Sequence, residues 1–196
     1  MPRRGSETPE SAKAVFRASS PVLGGRPTVM KYGDEGERFE VDVLTCHDAP
    51  NPGYCVHATV NLHLERNEMD GTNIPVELMA VAADADEFMA NAISTAAFCV
   101  MKDGWLAAPG VVFPDAIGQY GPTTTPHIMW SEPSEWPELC TVAIEGFGDV
   151  HWLLAIPLND QEVGFLHREG YDALEGRLAD QRVAYFDLQR ASVVDE

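Results

Sequence analysis

Cys46, Cys55 and His57 form the densest group of potential metal ligands or redox partners in the sequence. If the flanking segments make a hairpin symmetric about Pro50 and Asn51, Cys46 and Cys55 fall opposite one another. His57 then lies two residues further along the same face, while His47 points to the other face. Such a pair offers zinc ligation or a disulfide. The spacing matches no structural zinc pattern, and a reducing compartment disfavours the disulfide. Ordinary, semi-exposed side chains are the plainer reading. His57 and His63, with Asn61 and Glu65, line one strand face at period two, as a solvated face or a polar recognition surface would. Cys140 and His151 flank a second hairpin with Glu145 nearby. Their spacing predicts no contact, and a Cys–His hydrolase would also need an orienting group and an oxyanion hole. GxSxG, HExxH, GxxxxGKS and GxGxxG patterns do not occur. No catalytic residue, metal or cofactor is assigned, and the chain is read as non-enzymatic.

The acidic residues carry more information. The 196 residues hold 31 acidic and 13 basic side chains, a formal net charge of −18. Residues 1–26 contain five basic and two acidic residues, so the rest carries about −21. That sign argues against nucleic acid and anionic lipid as partners, because both are bound mainly through Lys and Arg. It favours a basic protein or a cationic ligand. Asp84, Asp86 and Glu87 cluster at one strand–helix junction, near Asp70. Glu132, Glu135 and Glu138 crowd a segment that also holds Trp130 and Trp136. Aromatic anchors within a charged rim are the composition of an interface hot spot, and arginine stacks on indole. These eight residues, Asp84, Asp86, Glu87, Trp130, Glu132, Glu135, Trp136 and Glu138, are the candidate partner-binding set. A soluble acidic surface, with the indoles in the core, is the plain alternative.

Residues 1–26 lack sustained periodicity and read as a flexible basic arm, with a short helical stretch at 10–17. A single domain then spans 27–196. Strands are expected at 28–32, 38–46 and 54–65, the last two joined by the turn-rich 48–53. In the symmetric register Val41 faces Val60 and Val43 faces Ala58, with polar pairs on the other face. Residues 74–83 are apolar on both faces apart from Glu77 and predict a central strand. Asp84 and Glu87 have capping-box spacing before a helix that runs to Gly104. Residues 105–137, rich in Pro and Trp, read as a loop packed over the core with one strand at 127–131. A second hairpin spans 139–158. Two short helices divided by Gly170 follow, then an extended segment at 183–188. The order predicts an α+β fold, a mostly antiparallel mixed sheet with helices packed on one face.

Three features resemble the suppressor-of-fused domain family. They are Val76-Glu77-Leu78-Met79 before a long helix, with Pro109-Gly110 beyond it; Trp152 to Leu158 leading into Asp160-Gln-Glu162, with Gly170, Leu174 and Leu178; and Asp187-Leu-Gln-Arg190-Ala-Ser192. The resemblance covers about residues 75–193. It implies an α+β domain without established enzymatic activity. A larger animal relative binds a transcription factor through an architecture with an additional domain, for which this chain has no room. Compact bacterial relatives imply an immunity role, the neutralising of a toxin.

The expectation is an acidic, protein-binding, cytoplasmic domain of suppressor-of-fused type that masks a basic toxin. Two alternatives stay open: a regulatory module that binds an extended peptide by strand addition, and a small-molecule-binding or hydrolytic enzyme built from residues 105–137. No secretory signal or spanning segment is expected.

Overall fold

The computed structural model describes residues 8–34, 36, 38–83 and 88–194. Its elements in chain order are α1 (Glu10–Leu23), β1 (Arg26–Gly33), β2 (Glu40–His47), β3 (Tyr54–Thr59), β4 (Glu68–Met69), β5 (Thr72–Asn73), β6 (Val76–Ala83), α2 (Phe88–Asp103), β7 (Val112–Phe113), β8 (His127–Ser131), β9 (Val142–Ile144), β10 (Gly148–Leu158), α3 (Asp160–Glu169) and α4 (Tyr171–Asp180). The main sheet has the order β1-β2-β3-β6-β10-β8-β7, with β9 paired to β10. Every pair is antiparallel except β6 with β10. A parallel pair needs a crossover, and residues 84–147, α2 included, supply it. The β6–β10 ladder ends at Leu154 opposite Met79. Pro157, which has no N–H, lies beyond that last pair.

The α+β class with a mostly antiparallel sheet is as expected, but helices lie on both faces. Leu78, Ala80, Ile128, Trp130, Leu153 and Ala155 pack with Met89, Ile93, Ala96 and Val100 of α2. On the other face Leu44, Val56, Met79, Met129, Trp152 and Leu154 pack with Val15 and Leu23 of α1, Leu166 of α3, and Leu174 and Leu178 of α4. The central strands are therefore apolar on both sides, as a three-layer arrangement requires.

Part of the second layer comes from the segment read as a flexible arm with a short helical stretch at 10–17. Residues 10–23 are a helix, and Ala12, Val15, Ser19 and Leu23 are buried along one side. The spacing is helical, but Ala and Ser at two of the four positions make the stripe weak in sequence. Gly25, φ 64°, turns the chain from α1 into β1, and a Cβ there would collide with the His47 carbonyl.

The first hairpin is also one residue out of the expected register. Val43 pairs with Thr59, Leu44 with Ala58 and Cys46 with Val56. Asp48, φ 58°, sits in the turn, and Ala49 N–H donates to Tyr54 O at 3.1 Å. The expected register rested on one face being solvated. With helices on both faces, the slip still gives apolar contacts on each side, so patterning does not forbid it. The third strand ends at Thr59, and residues 62–64 form a 3-10 turn, not a continued strand.

Residues 105–137 are part of the core. They supply β7 and β8 and bury Phe113, Ile117, Ile128 and Trp130. The segment at 183–188 is a series of turns, with Tyr185 N–H on Val183 O and Asp187 N–H on Ala184 O.

Candidate functional site

The two indoles proposed as anchors lie inside the protein on opposite faces of the sheet. Trp130 is 0% exposed and meets Phe113 edge to face at 5.4 Å. Trp136 is 7% exposed and packs in the other layer. They hold the segment between them in place, so neither ring can meet a partner directly. The intervening Glu132, Glu135 and Glu138 are all exposed. Asp84, Asp86 and Glu87 lie outside the described residues.

What the carboxylates border is a hollow of about 380 Å³ between α4, strands β8 and β10, and the turns after α4. Its floor is apolar: Met129, Leu154, Ile156 and Leu178. Its rim carries Glu132, Glu135, Glu175 and Arg182. Glu175 is one turn beyond Tyr171 on α4, so both side chains share a helix face. The Tyr171 hydroxyl donates to Glu175 Oε1 at 2.6 Å, and Ser131 Oγ lies 3.0 Å from the same oxygen. On the opposite wall Tyr185 donates to Glu135. A second hollow of about 370 Å³ shares Glu135, Arg182, Val183 and Tyr185 with the first and runs on to Tyr54 and Phe186.

Burial and neighbouring carboxylates both keep the two phenols protonated. Burial first, then Glu175 and Glu132, push the Tyr171 hydroxyl up to about 12. Burial and Glu135 push Tyr185 higher still. Among the described residues no Lys or Arg is ion-paired with Glu132, Glu135 or Glu175. An exposed concave site with an apolar floor and uncompensated carboxylates suits a cation carried on an apolar stem.

The cysteine sites come apart. In the observed register Cys46 faces the α1 layer and Cys55 the α2 layer, so they share neither a metal nor a disulfide. Burial pushes the Cys46 thiol up to about 11. His57 is buried, with Nδ1 2.9 Å from Thr45 Oγ1 and Nε2 3.2 Å from Cys55 Sγ. The expected solvated histidine face does not form: His57 is buried within β3, and His63 is buried in the turn that follows, its ring edge to face with Phe147 at 4.7 Å, while Asn61 and Glu65 are half-exposed. His151 Nδ1 meets Thr141 Oγ1 at 3.0 Å and the Cys140 carbonyl at 3.3 Å. The Cys140 thiol is itself raised, first by burial and then by Glu132 and Glu138. A raised thiol is a poor nucleophile at neutral pH. Among the described residues no three His, Cys, Asp or Glu side chains come together as metal ligands.

Two buried carboxylates stand out that charge patterning did not single out. Glu77, 0% exposed, accepts from Thr59 Oγ1, from Leu62 N–H at 3.2 Å and from His63 N–H at 3.1 Å, and its Oε1 lies 2.6 Å from His63 Nδ1. It ties the turn after β3 to β6. Glu162, also 0% exposed, closes the α3 capping box with Asn159 and takes Arg190 bidentately, at 2.6 and 2.8 Å. Val193 N–H reaches the same carboxylate at 3.0 Å, and Arg190 Nη2 also donates to Pro157 O at 2.6 Å. These residues sit in the three motifs that carry the family resemblance. Their geometry is that of structural joints between elements.

Residues 38–191 match the suppressor of fused protein (SUFU) family. A Bacillus subtilis (strain 168) protein named immunity protein YqcF is 32% identical over 185 residues, which cover 93% of this chain and 96% of the relative. A putative SUFU homolog from Neisseria gonorrhoeae FA 1090 has a similar structure, with a TM-score of 0.73 at 15% identity over 95% of this chain and 98% of that one. The Sufu–Fu complex gives a TM-score of 0.64 at 12% identity, covering 93% of this chain and 92% of the matched one. Drosophila Suppressor of Fused gives 0.57 at 13% identity, and this chain spans 50% of its length. Those structural likenesses speak for the fold. The sequence match over most of the chain, joined to a relative at 32% identity along nearly its whole length, makes this protein a member of the suppressor of fused protein family.

Proposed function

We propose that the protein is an immunity protein, one that neutralises a protein toxin by binding it and without chemistry of its own. The observation that carries this reading is the 32% identity, over almost the full length of both chains, to a protein named for immunity. The net charge of −18 and the exposed Glu132, Glu135 and Glu138 support a basic partner surface. Charge complementarity would speed capture, and apolar contacts would slow release. Asp84, Asp86 and Glu87 remain part of the proposed acidic face.

The test captures the partner from the source cells by pull-down and co-expresses it with this protein. The proposal expects growth to be restored and a stoichiometric complex to be purified. Unrelieved toxicity with both proteins soluble would overturn it.

A second reading, strand addition, is favoured by β1. This eight-residue strand lies at the end of the main sheet, with Val29 and Met30 50% and 62% exposed. An open apolar edge is a template for another strand. Under that reading Val29→Pro abolishes capture and reversing Glu132, Glu135 and Glu138 together to Lys leaves it intact; under the first reading the charge reversal abolishes capture and Val29→Pro leaves it intact.

A further inference from the structure

We propose that the hollow between α4 and strands β8 and β10 is a socket for an arginine side chain presented by an extended, basic segment of the partner. The inference rests on the binding role proposed above and names the chemistry that one face of it reads. The floor of Met129, Leu154, Ile156 and Leu178 matches the three-methylene stem of arginine. At the rim, Glu175 spends Oε1 on Tyr171 and Ser131, which leaves Oε2 outside those two bonds. Glu132 makes no side-chain hydrogen bond or ion pair among the described residues and borders the same space. The planar guanidinium carries five donors and can engage two carboxylates at once, whereas an ammonium is a point charge. Tyr185 also lines the hollow, and a phenol ring is a surface on which a guanidinium stacks.

The charges oppose one another correctly. Glu132, Glu135 and Glu175 outnumber Arg182, the one cation of the lining, and Arg182 is not ion-paired with any of them. The buried Ser131, 6% exposed, and Tyr171 fix the Glu175 carboxylate from within the protein. The acceptor is thus held before a ligand arrives, which lowers the entropy lost on binding.

The test uses the full chain and three blocked pentapeptides, identical except for arginine, lysine or citrulline at the centre. Amide chemical shifts are followed during titration. The arginine peptide should perturb residues 129–135 and 175–185 and bind about tenfold more tightly than the citrulline peptide, which keeps the shape and loses the charge. The lysine peptide should fall between them. Glu175→Gln and, separately, Glu132→Gln should each weaken arginine binding about fivefold or more. Glu132 makes no side-chain bond that a fold defect could be traced to, so it keeps the test sound if Glu175→Gln loosens α4. Equal binding of the citrulline peptide, shifts located elsewhere, or indifference to both substitutions would overturn the socket. The same two variants in the toxin complex separate the proposals. A complex that forms and ignores both substitutions removes the socket and leaves immunity standing; an arginine-selective socket with no toxin complex does the reverse.

Discussion

Glu77 shows how a single charged residue in a central strand gets its role from distant partners. Its neighbours Val76, Leu78 and Met79 are apolar, and in sequence it looks like the one polar interruption of a central strand. In the fold it is the acceptor that satisfies two backbone N–H groups and the ring of His63 in a fully buried site. Glu77→Gln should cost about 2–4 kcal/mol, because buried donors lose a charged acceptor; urea denaturation measures it. Tyr171 gives a pH-dependent counterpart. Its folded pKa, about 12, is raised above the ordinary value of 10.0. Its contribution to stability is therefore complete below pH 10 and is lost as the pH rises through about 12. Phenolate absorbance should show Tyr171 ionising late in the native protein, and Glu175→Gln should bring that step back towards 10.

At the scale of elements, the C-terminal segment is held by side chains far away in sequence. The Leu188 carbonyl accepts from Thr123 Oγ1 at 2.6 Å and from Thr124 N–H at 3.0 Å, while Arg190 locks onto Glu162 at the start of α3. Arg190→Ala leaves the Glu162 carboxylate buried without its cation and should cost about 3–5 kcal/mol. Hydrogen exchange at residues 187–193 should rise before that of the sheet. The break at Gly170 between α3 and α4 was legible, since it is local. The β2–β3 register was not, because the criterion of one wet face fails when α1 and α2 cover both faces. The indoles of Trp130 and Trp136 show the same limit: their composition suits an interface, and only the packing assigns them to the core.

For the whole molecule the governing quantity is charge. If capture of a basic toxin is steered by the acidic face, the association rate should fall about tenfold between low and high salt, while dissociation changes less. Stopped-flow mixing at 0.05 and 0.5 M salt measures this, and an unchanged association rate removes the electrostatic part of the proposal. Among the described residues no helix is long and apolar enough to cross a membrane.

The sequence by itself determined the class of fold, the order of most elements, the family and the excess negative charge. Each of these depends on local pattern or on sums along the chain. Only the tertiary structure decided that residues 10–23 form part of the core, that Cys46 and Cys55 point to opposite layers, and that Glu132, Glu135 and Glu175 border one hollow. Those outcomes depend on which distant surfaces meet. Glu175 lies some forty residues beyond Glu132, and nothing in the spacing of the two residues encodes the crossing of α4 over the sheet. The net charge of −18 becomes a candidate site only where that crossing leaves exposed carboxylates at the rim of a hollow with an apolar floor.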